Sequence, residues 1–343
     1  MIPALAIARE VRDAYGAEVR FVGTARGLET RLVPEAGFPL ELIKVGQLKN
    51  VSLATRVRTV LDLPLGVMRC IGLLRQYKPD VVVGVGGYAS GPAMMAALLL
   101  RVPTLAFEPN AVPGLANRLV GKYVRAAAVN LPETTRYFRN AKVTGTPVRP
   151  EFFTIGPKPE GTTKRLLVFG ASQGARIFNE TIPKIIERLL KQVPGLEVVH
   201  QTGARHGATT LAAYNKLDVA LDGVEVTMYL DDMAAQFAAA DLILCRSGAS
   251  SVAEVAAAGR AAVLVPFPQA ADDHQRKNAE AFVAAGAAAM IVEAELTEER
   301  LLATLTGLLH DDARRAEMGS RARALAHPHA VREIGEMVAG LAR

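Results

Sequence analysis

Residues 241–259 read DLILCRSGASSVAEVAAAG, and this stretch decides the fold. The apolar run at 241–245 predicts a buried strand, Ser247 and Gly248 predict a turn, and the alanine-rich letters that follow predict a helix. A strand that passes through a short turn into a helix is the repeating unit of an α/β protein. The stretch therefore predicts an α/β chain whose helix begins just beyond a strand end.

The first turns of this predicted helix carry groups that suit a nucleotide. The N–H groups of Ala249 to Ser251 precede the first helical hydrogen bond and lie at the positive end of the helix dipole, where they suit a diphosphate. Glu254 lies further along the helix, and its carboxylate suits the two hydroxyls of a ribose. A capped helix with one surface glutamate explains the same residues equally well.

Similar strand patterns recur on both sides of this stretch. Short β-branched runs alternate with longer helical patterns, which predicts parallel sheets covered by helices. The runs are VRFVG at 19–23, DVVVGV at 80–85, TLAFE at 104–108, RLLVFG at 165–170, DLILC at 241–245 and AAVLVPF at 261–267. Because 343 residues exceed the usual size of one hydrophobic core, we predict two doubly wound α/β domains.

Two further glycine-rich turns make an internal pseudo-repeat. GVGGYASGP at 84–92 and GASQGARIFN at 170–179 each follow a strand and precede a helix, and neither fits the GxGxxG pattern of a nicotinamide dehydrogenase. A segment rich in Pro, Gly and Thr separates them and predicts a linker. The predicted organisation is a first domain at 1–150, a linker at 151–163, a second domain at 164–327 and a C-terminal helix at 328–343 that packs back on the first domain.

The distribution of charge excludes several classes of function. Residues 1–163 carry 21 Lys and Arg against 12 Asp and Glu, whereas 164–343 carry 19 against 22. A basic half suits nucleic acid, anionic lipid or phosphorylated substrates, but Trp is absent and the other aromatic residues are scattered, so the stacking platforms of nucleic-acid binding are missing. We therefore expect no nucleic acid partner.

The sequence indicates neither a metal nor another cofactor. Cys70 and Cys245 are far apart and form no CxxC pair, which fits two core residues in a reducing cytosol. No Asp-x-Asp occurs, so a nucleotide diphosphate has no obvious metal ligands, and a helix N-terminus is expected to take the place of the metal.

A second polar cluster follows the strand pattern at 261–267. PFPQAADDHQRKNA at 266–279 crowds polar side chains after Pro266, and loops at the carboxyl ends of parallel strands are where α/β proteins bind ligands. The Gln275 amide suits sugar hydroxyls. A polar helix N-terminus without a ligand is the alternative.

One helical segment in the first half predicts contact with a membrane. Its apolar residues lie among arginines, a pattern that suits an anionic leaflet, whereas no apolar run approaches the ~20 residues of a membrane span. A buried helix pair with solvated arginines is the alternative. The predicted patch consists of Arg56, Arg58, Val60, Leu61, Leu63, Leu65 and Met68.

Seven motifs of the sequence together resemble those of one family, the membrane-associated N-acetylglucosaminyltransferases that convert lipid I to lipid II in peptidoglycan synthesis. They are GVGGYASGP, EPNAVPGLANR, TGTPVR, GASQGARIFN, YLDDM, CRSGASSVAEVAAAG and DDHQRKNA, and in order they cover essentially the whole chain. The resemblance implies a fold of the GT-B type, in which two Rossmann-like doubly wound domains face each other across a cleft. The donor nucleotide is then bound mainly by the second domain and the acceptor by the first.

The resemblance also implies roles for individual residues. Glu254 lies on the ribose, the Leu230 backbone beside the uracil, and Gln275 on the N-acetylglucosamine. The donor-binding residues implied are Asn110, Arg149, Ser172, Leu230, Ala249, Ser250, Ser251, Val252, Ala253, Glu254 and Gln275. The residues implied to cradle the acceptor diphosphate are Gly86, Gly87, Tyr88 and Ser90.

The chain departs from the family pattern in two places. The family often has His-Glu-Gln-Asn where this sequence has Phe107, Glu108, Pro109 and Asn110, which leaves Glu108 as a candidate base. The family also begins with a strand and a Gly-Gly-Thr-Gly-Gly-His loop, whose His is another candidate base, whereas residues 2–16 here already read as a helix. We therefore expect a strand and loop to precede residue 1 in the natural protein, and we expect the chain as given to bind UDP-sugar better than it turns it over.

The activity implied is an inverting transfer of N-acetylglucosamine from UDP to the muramyl 4-hydroxyl of lipid I. Its implied partners are UDP-N-acetylglucosamine, undecaprenyl-linked lipid I, an anionic membrane surface and other cell-wall synthesis proteins. Its implied location is peripheral, on the cytoplasmic face of the bacterial plasma membrane. A UDP-N-acetylglucosamine 2-epimerase of the same fold, or a UDP-sugar-binding relative without catalysis, is the alternative.

Overall fold

The computed structural model divides into two compact units. The first comprises Met1–Pro147 and His327–Arg343, and the second comprises Val148–Ala326. The structure describes every residue except Arg26, 45–52, Tyr88, 159–162, Ala171, Ser172, 218–220 and Arg343, and for 53–62 it describes the backbone alone. Within these described residues, no helix is long and apolar enough to cross a membrane.

The first unit contains two parallel sheets with helices packed on them. One sheet pairs β1 with β2, and the other has the order β3-β4-β5-β6. Its strands are β1 (Phe21–Thr24), β2 (Leu40–Ile43), β3 (Val82–Gly84), β4 (Thr104–Glu108), β5 (Ala126–Val129) and β6 (Ala141–Val143). Its helices before the boundary are α1 (Ile2–Tyr15), α2 (Glu29–Glu35), α3 (Leu53–Tyr77), α4 (Ser90–Leu99) and α5 (Leu115–Val120).

The second unit is built on one six-stranded parallel sheet. Its strands are β7 (Arg165–Phe169), β8 (Glu197–Gln201), β9 (Val224–Thr227), β10 (Leu242–Cys245), β11 (Ala261–Leu264) and β12 (Ala288–Met290). Its helices are α6 (Pro150–Phe153), α7 (Arg176–Gln192), α8 (Gly207–Tyr214), α9 (Met233–Ala239), α10 (Ala249–Ala258), α11 (His274–Ala284), α12 (Glu298–His310) and α13 (Asp312–Ala324). The two cores on its faces bury Leu166 and Val168 on one side and Leu167 and Phe169 on the other.

The strand order of this sheet is β12-β11-β10-β7-β8-β9. The chain therefore builds outward from β7 in one direction, then returns to β10 beside β7 and builds outward in the other. This is the Rossmann order, in which the connections from the two central strands leave on opposite faces and open a crevice at their carboxyl ends. The predicted fold class is confirmed. Open α/β sheets with this strand order bind their ligands in that crevice.

The last helix, α14 (Ala330–Leu341), belongs to the first unit. Its Ile334 is fully buried in a cluster with Ile7 of α1 and with Leu105 and Phe107 of β4. Lys142 and Glu333 add an ion pair at 2.7 Å. The hydrophobic face of this helix thus completes the core of the first unit, although the whole second unit precedes it in the sequence.

The segment 151–163, predicted as a linker, is partly structured. The boundary between the units lies between Pro147 and Val148, and α6 follows it at once, with Phe152 fully buried against the ring of Phe237 at 5.1 Å between centroids. A Pro-rich sequence reads as a linker because Pro disfavours long helices and strands, but one buried aromatic residue is enough to anchor a short helix.

Arg323 ties three parts of the second unit together. From α13 it donates to the carbonyl oxygen of Phe153 at 3.0 Å, to that of Ala258 at 3.0 Å and to that of Ile155. Ala258 is the last residue of α10, so a cation at this point also matches the negative end of the helix dipole. The arginine therefore anchors the far end of the helix that begins at the crevice.

We predict that Arg323→Met destabilises the second unit by about 2 kcal/mol, because partly buried carbonyl groups lose a charged donor. Arg321→Met is the matched control, since Arg321 lies on the same helix and pairs with the exposed Glu317. Urea unfolding of both variants measures the difference. Equal midpoints for the two variants would contradict the assignment.

Candidate active site

A pocket of about 490 Å³ opens in the second unit at the carboxyl ends of the parallel strands. Its walls come from the segments that follow β7, β10, β11 and β12, so the reversal of strand order brings together residues that are distant in sequence. The residues that line it are Gly170, Gly174, Ala175, Arg176, Arg246, Gly248, Ser251, Phe267, Gln269, Gln275 and Glu293.

The start of α10 presents backbone donors at this pocket. Gly248 is the N-cap residue in extended conformation, and the first helical bond runs from Val252 N–H to the Gly248 carbonyl at 3.0 Å. The N–H groups of Ala249, Ser250 and Ser251 precede that bond, as the first donors of any helix do. Gly248 has no side chain to cap them, which leaves room for an anion at this helix end.

The glycine turn after β7 forms the neighbouring wall. Gly174 has φ +68°, and a Cβ at this position would overlap the carbonyl of Thr202. The turn is therefore pressed against the segment that follows β8, and only glycine permits that approach. Gly174, Ala175 and Arg176 line the pocket, whereas the predicted donor residue Ser172 lies outside the described residues.

A fully buried histidine supports this turn from behind. His200 Nε2 lies 3.1 Å from Asn179 Oδ1 and its Nδ1 lies 2.9 Å from the Tyr214 hydroxyl. Asn179 Nδ2 donates to the Thr202 carbonyl at 2.9 Å, so its Oδ1 faces the histidine, which must donate from Nε2 and accept at Nδ1. Burial lowers the pKa of His200 to about 4, so the ring stays neutral at physiological pH.

Glu254 lies half-buried on α10, one and a half turns from the pocket end of the helix. Burial raises the pKa of its carboxyl group to about 7, against the opposing effect of Arg149, and Glu151 raises it further. Arg149 pairs with Glu151 at 3.3 Å and stacks on the Phe152 ring at 4.9 Å. These predicted donor residues therefore share one environment between α6 and α10.

Gln275 is held by its neighbours at the start of α11. Its Oε1 accepts from Phe267 N–H at 3.0 Å, and its backbone carbonyl accepts from the Ser247 hydroxyl at 2.8 Å. Asn278 Nδ2 donates to the Ser247 carbonyl at 3.1 Å. The turn between β10 and α10 is thereby joined to the helix that carries the predicted sugar ligand.

Arg246 is a pocket residue that the sequence did not reveal. It is 7% exposed, and its Nη2 pairs with Glu293 Oε2 at 2.5 Å. Burial lowers its pKa and the neighbouring Glu293 raises it. One sequence signal could have identified Arg246. It directly follows four apolar strand residues, at a position where burial of an unpaired cation costs free energy.

The structure thus brings only part of the predicted donor set to the pocket. Ser251 and Gln275 line it, as do Gly248 and Arg246 beside them. The other predicted residues of α10 are buried or half-buried on the same helix, apart from the exposed Ser250. Leu230 is buried at the end of the segment after β9. Asn110 belongs to the first unit.

The predicted acceptor loop in the first unit contains two successive glycines in the left-handed region. Gly86 and Gly87 have φ +81° and +82°, and α4 begins at Ser90. Glycine adopts these angles without the steric cost that a Cβ would bring. The buried Ser90 hydroxyl oxygen has no hydrogen-bond partner among the described residues. Tyr88 lies outside those residues.

Glu108 organises the loop that follows β4. It is 2% exposed, and one carboxylate oxygen accepts from the backbone N–H and the side-chain amide of Asn110 at 3.1 and 3.0 Å. The other accepts from Gly114 N–H at 3.1 Å and from Asn117 Nδ2 at 3.0 Å. A carboxylate that already accepts these bonds is better suited to hold the loop than to remove a proton.

The predicted membrane patch is described only in part. The side chains of Arg56, Arg58, Val60 and Leu61 lie outside the described residues, while Leu63 is half-buried. Leu65 is 60% exposed and Met68 is 58% exposed. Leu99, Leu119 and Tyr123 are also exposed large apolar residues of this unit.

The potential metal ligands among the described residues do not form a cluster. They contain no group of three or more His, Cys, Asp or Glu side chains that would hold a metal ion.

The fold and the family models that match it define a glycosyltransferase of the GT-B class. Family models match the chain at both ends: the N-terminal domain of glycosyltransferase family 28 matches residues 1–129 and its C-terminal domain matches residues 165–334. The chain belongs to glycosyltransferase family 28.

Individual relatives match nearly the whole chain. The UDP-N-acetylglucosamine–N-acetylmuramyl-(pentapeptide) pyrophosphoryl-undecaprenol N-acetylglucosamine transferase of Anaeromyxobacter sp. (strain Fw109-5) is 42% identical over 348 residues, which cover 100% of this chain and 91% of the relative. The enzyme of the same name from Solibacter usitatus (strain Ellin6076) is 41% identical and covers 100% and 93%. The crystal structure of Acinetobacter baumannii MurG superposes with a TM-score of 0.82 at 30% identity, covering 99% of this chain and 95% of that one.

We predict that Glu254→Gln stabilises the ligand-free protein at pH 8 by about 1–2 kcal/mol. The carboxyl pKa is about 7 when the protein is folded, against an ordinary value of 4.5, so ionisation costs stability as the pH rises from 4.5 through 7. The gain should shrink toward zero as the pH falls to 4.5. Melting temperatures from pH 4.5 to 8 measure it.

Glu280→Gln is the control for this prediction. Lys277 and Arg276 lower the pKa of Glu280, so its charge stabilises the folded state slightly at high pH and the same substitution should not raise the melting temperature. A Glu254→Gln gain that is independent of pH would contradict the ionisation argument.

Proposed function

We propose that this chain transfers N-acetylglucosamine from UDP to the 4-hydroxyl of the muramyl sugar of undecaprenyl-linked lipid I, which forms lipid II. The observation that carries the proposal is the pocket at the strand-order reversal, where the start of α10 meets the glycine turn after β7. Full-length relatives whose names state this transfer support it.

The donor is proposed to lie along α10 and across the pocket. N–H groups of Ala249 to Ser251 hold the diphosphate, Glu254 accepts from the ribose hydroxyls, and Gln275 binds the sugar. Leu230, Arg149 and Asn110 are proposed as further donor contacts. Because backbone donors and a helix dipole provide the positive potential, the site needs no metal ion to bind the diphosphate.

The proposed reaction is a single displacement with inversion at C1. The acceptor hydroxyl attacks C1 of N-acetylglucosamine and gives its proton to a general base, the C1–O bond to UDP breaks, and the electron pair leaves with the diphosphate. The preorganised N–H groups stabilise the negative charge that develops there. Gly86, Gly87, Tyr88 and Ser90 are proposed to hold the acceptor diphosphate, with Glu108 fixing the neighbouring loop.

We expect Glu254→Ala to raise the KM for UDP-N-acetylglucosamine about 10- to 100-fold, since two hydrogen bonds to the ribose are lost. Glu280→Ala, on the surface of α11, is the control. The measurement is product formation from UDP-N-acetylglucosamine with and without a lipid I analogue.

The same assay separates the classes of function. Sugar transfer to the analogue supports the proposal. Release of the 2-epimer without an acceptor would instead identify an epimerase, and UDP-sugar binding with neither product would identify a binding protein without catalysis.

We further propose that the first unit docks on the anionic cytoplasmic face of the plasma membrane. Leu65 and Met68 on α3 and Leu99 at the end of α4 expose apolar side chains, and α4 packs against both α3 and α5. Arginines on α3 complement anionic head groups. Such docking brings a lipid-linked acceptor to the first unit, and it places the chain among peripheral cell-wall synthesis proteins.

Replacing Leu65 and Met68 together by Ser should weaken binding to vesicles that contain anionic phospholipid by about 10-fold, because buried apolar area is lost. Leu211→Ser with Met228→Ser is the matched control, since both are exposed apolar residues of the second unit. Charge reversal of Arg56 and Arg58 should weaken binding most at low salt. Vesicle co-sedimentation unaffected by either change would refute the docking proposal.

A further inference from the structure

Arg246 makes its polar contacts with the segment that follows β11 and with the one that follows β12. Its Nη1 donates to the carbonyl oxygens of Val265 and Pro266, each at 3.1 Å. Its Nη2 pairs with Glu293 at 2.5 Å. The guanidinium also lies 5.3 Å from the ring centroid of Phe267. One buried side chain therefore fixes three consecutive residues at the pocket wall.

The charge of Arg246 is already matched inside the protein. Side-chain exposure is 9% for Arg246 and 18% for Glu293, so the pair is shielded from water and carries no net charge. An arginine that served mainly to neutralise a diphosphate would not need a buried carboxylate as its partner. The free N–H groups at the start of α10 are the better match for the diphosphate.

The segment that Arg246 holds leads directly to Gln275. Phe267 N–H donates to Gln275 Oε1 at 3.0 Å, which fixes the orientation of the side-chain amide and makes Nε2 the group that offers donors to a sugar. Ser247, the next residue after Arg246, donates to the Gln275 carbonyl at 2.8 Å. Both ends of the loop are thus held from the end of β10.

We propose that Arg246 is a positioning residue for the donor sugar: it sets Gln275 through Phe267, and it contributes little to binding of the UDP portion. The inference rests on the proposed function, because it takes UDP-N-acetylglucosamine as the ligand. It assigns the two halves of the donor to separate parts of the pocket. The glycine turn and α10 hold UDP, while the Arg246–Glu293 pair shapes the sugar side.

The test compares two ligands in one variant. In Arg246→Met, the Kd for UDP should stay within about threefold of the wild-type value, whereas the KM for UDP-N-acetylglucosamine should rise at least about 10-fold. Preference over UDP-N-acetylgalactosamine, which differs at one hydroxyl, should fall as well. Equal weakening of UDP and UDP-N-acetylglucosamine would overturn the proposal and make Arg246 a diphosphate contact.

A double-mutant cycle tests whether Arg246 acts through Gln275. Once Gln275→Ala is present, adding Arg246→Met should change the KM for UDP-N-acetylglucosamine by less than about threefold, because coupled residues are not additive. Fully additive effects would overturn the proposed route. Arg246→Met with Glu293→Gln avoids a buried unpaired carboxylate, and it should show the same split between the two ligands.

Glu293→Gln alone gives a further contrast. If Arg246 were a diphosphate contact restrained by Glu293, removing that charge would strengthen UDP binding, and this outcome would overturn the inference. We expect an unchanged Kd for UDP and a modestly raised KM for the sugar nucleotide. If the wild-type chain bound neither UDP nor UDP-N-acetylglucosamine, the proposed function itself would fail. If the wild-type chain bound both and the variants gave the contrary results above, only the proposed role of Arg246 would fail.

Discussion

The reversal of strand order between β7 and β10 is the constraint on which the rest of this structure depends. Parallel strands must be joined by crossovers, and when the chain builds outward first on one side and then on the other, the two central crossovers leave on opposite faces. The helices α7 and α10 therefore begin beside one another at the carboxyl ends of the two central strands. The glycine turn after β7 and the N–H groups at the start of α10 meet at the pocket because of that arrangement.

The pocket contains two kinds of polar group, which are proposed to act on different parts of one ligand. Backbone N–H groups at a helix start supply partial positive charge without the desolvation cost of a buried cation. The buried Arg246–Glu293 pair is internally neutral and acts through geometry. Burial raises the pKa of Glu254 to about 7. Its carboxyl group is proposed to accept hydrogen bonds from the ribose hydroxyls.

Six strands, β1, β3, β4, β7, β10 and β11, were predicted from runs of apolar residues, and the pattern at 104–108 matches β4 at both ends. Short or half-polar strands such as β6, which reads AKV, offered no such signal. Ser251 and Gln275 follow strands and were predictable as pocket residues. Arg246 was not, because its partner Glu293 is 47 positions away and only the sheet brings them together. Glu108 was one candidate base, but it accepts hydrogen bonds from four local donors that the sequence did not predict.

The return of α14 to the first unit has a consequence for synthesis on the ribosome. Ile7 of α1 and Leu105 of β4 share a cluster with Ile334, so the first unit cannot finish packing until the last residues of the chain have been made. The second unit, by contrast, is continuous in sequence and is complete before α14 emerges. Although domains often fold in order from the N-terminus, the second unit of this chain should reach its native packing first.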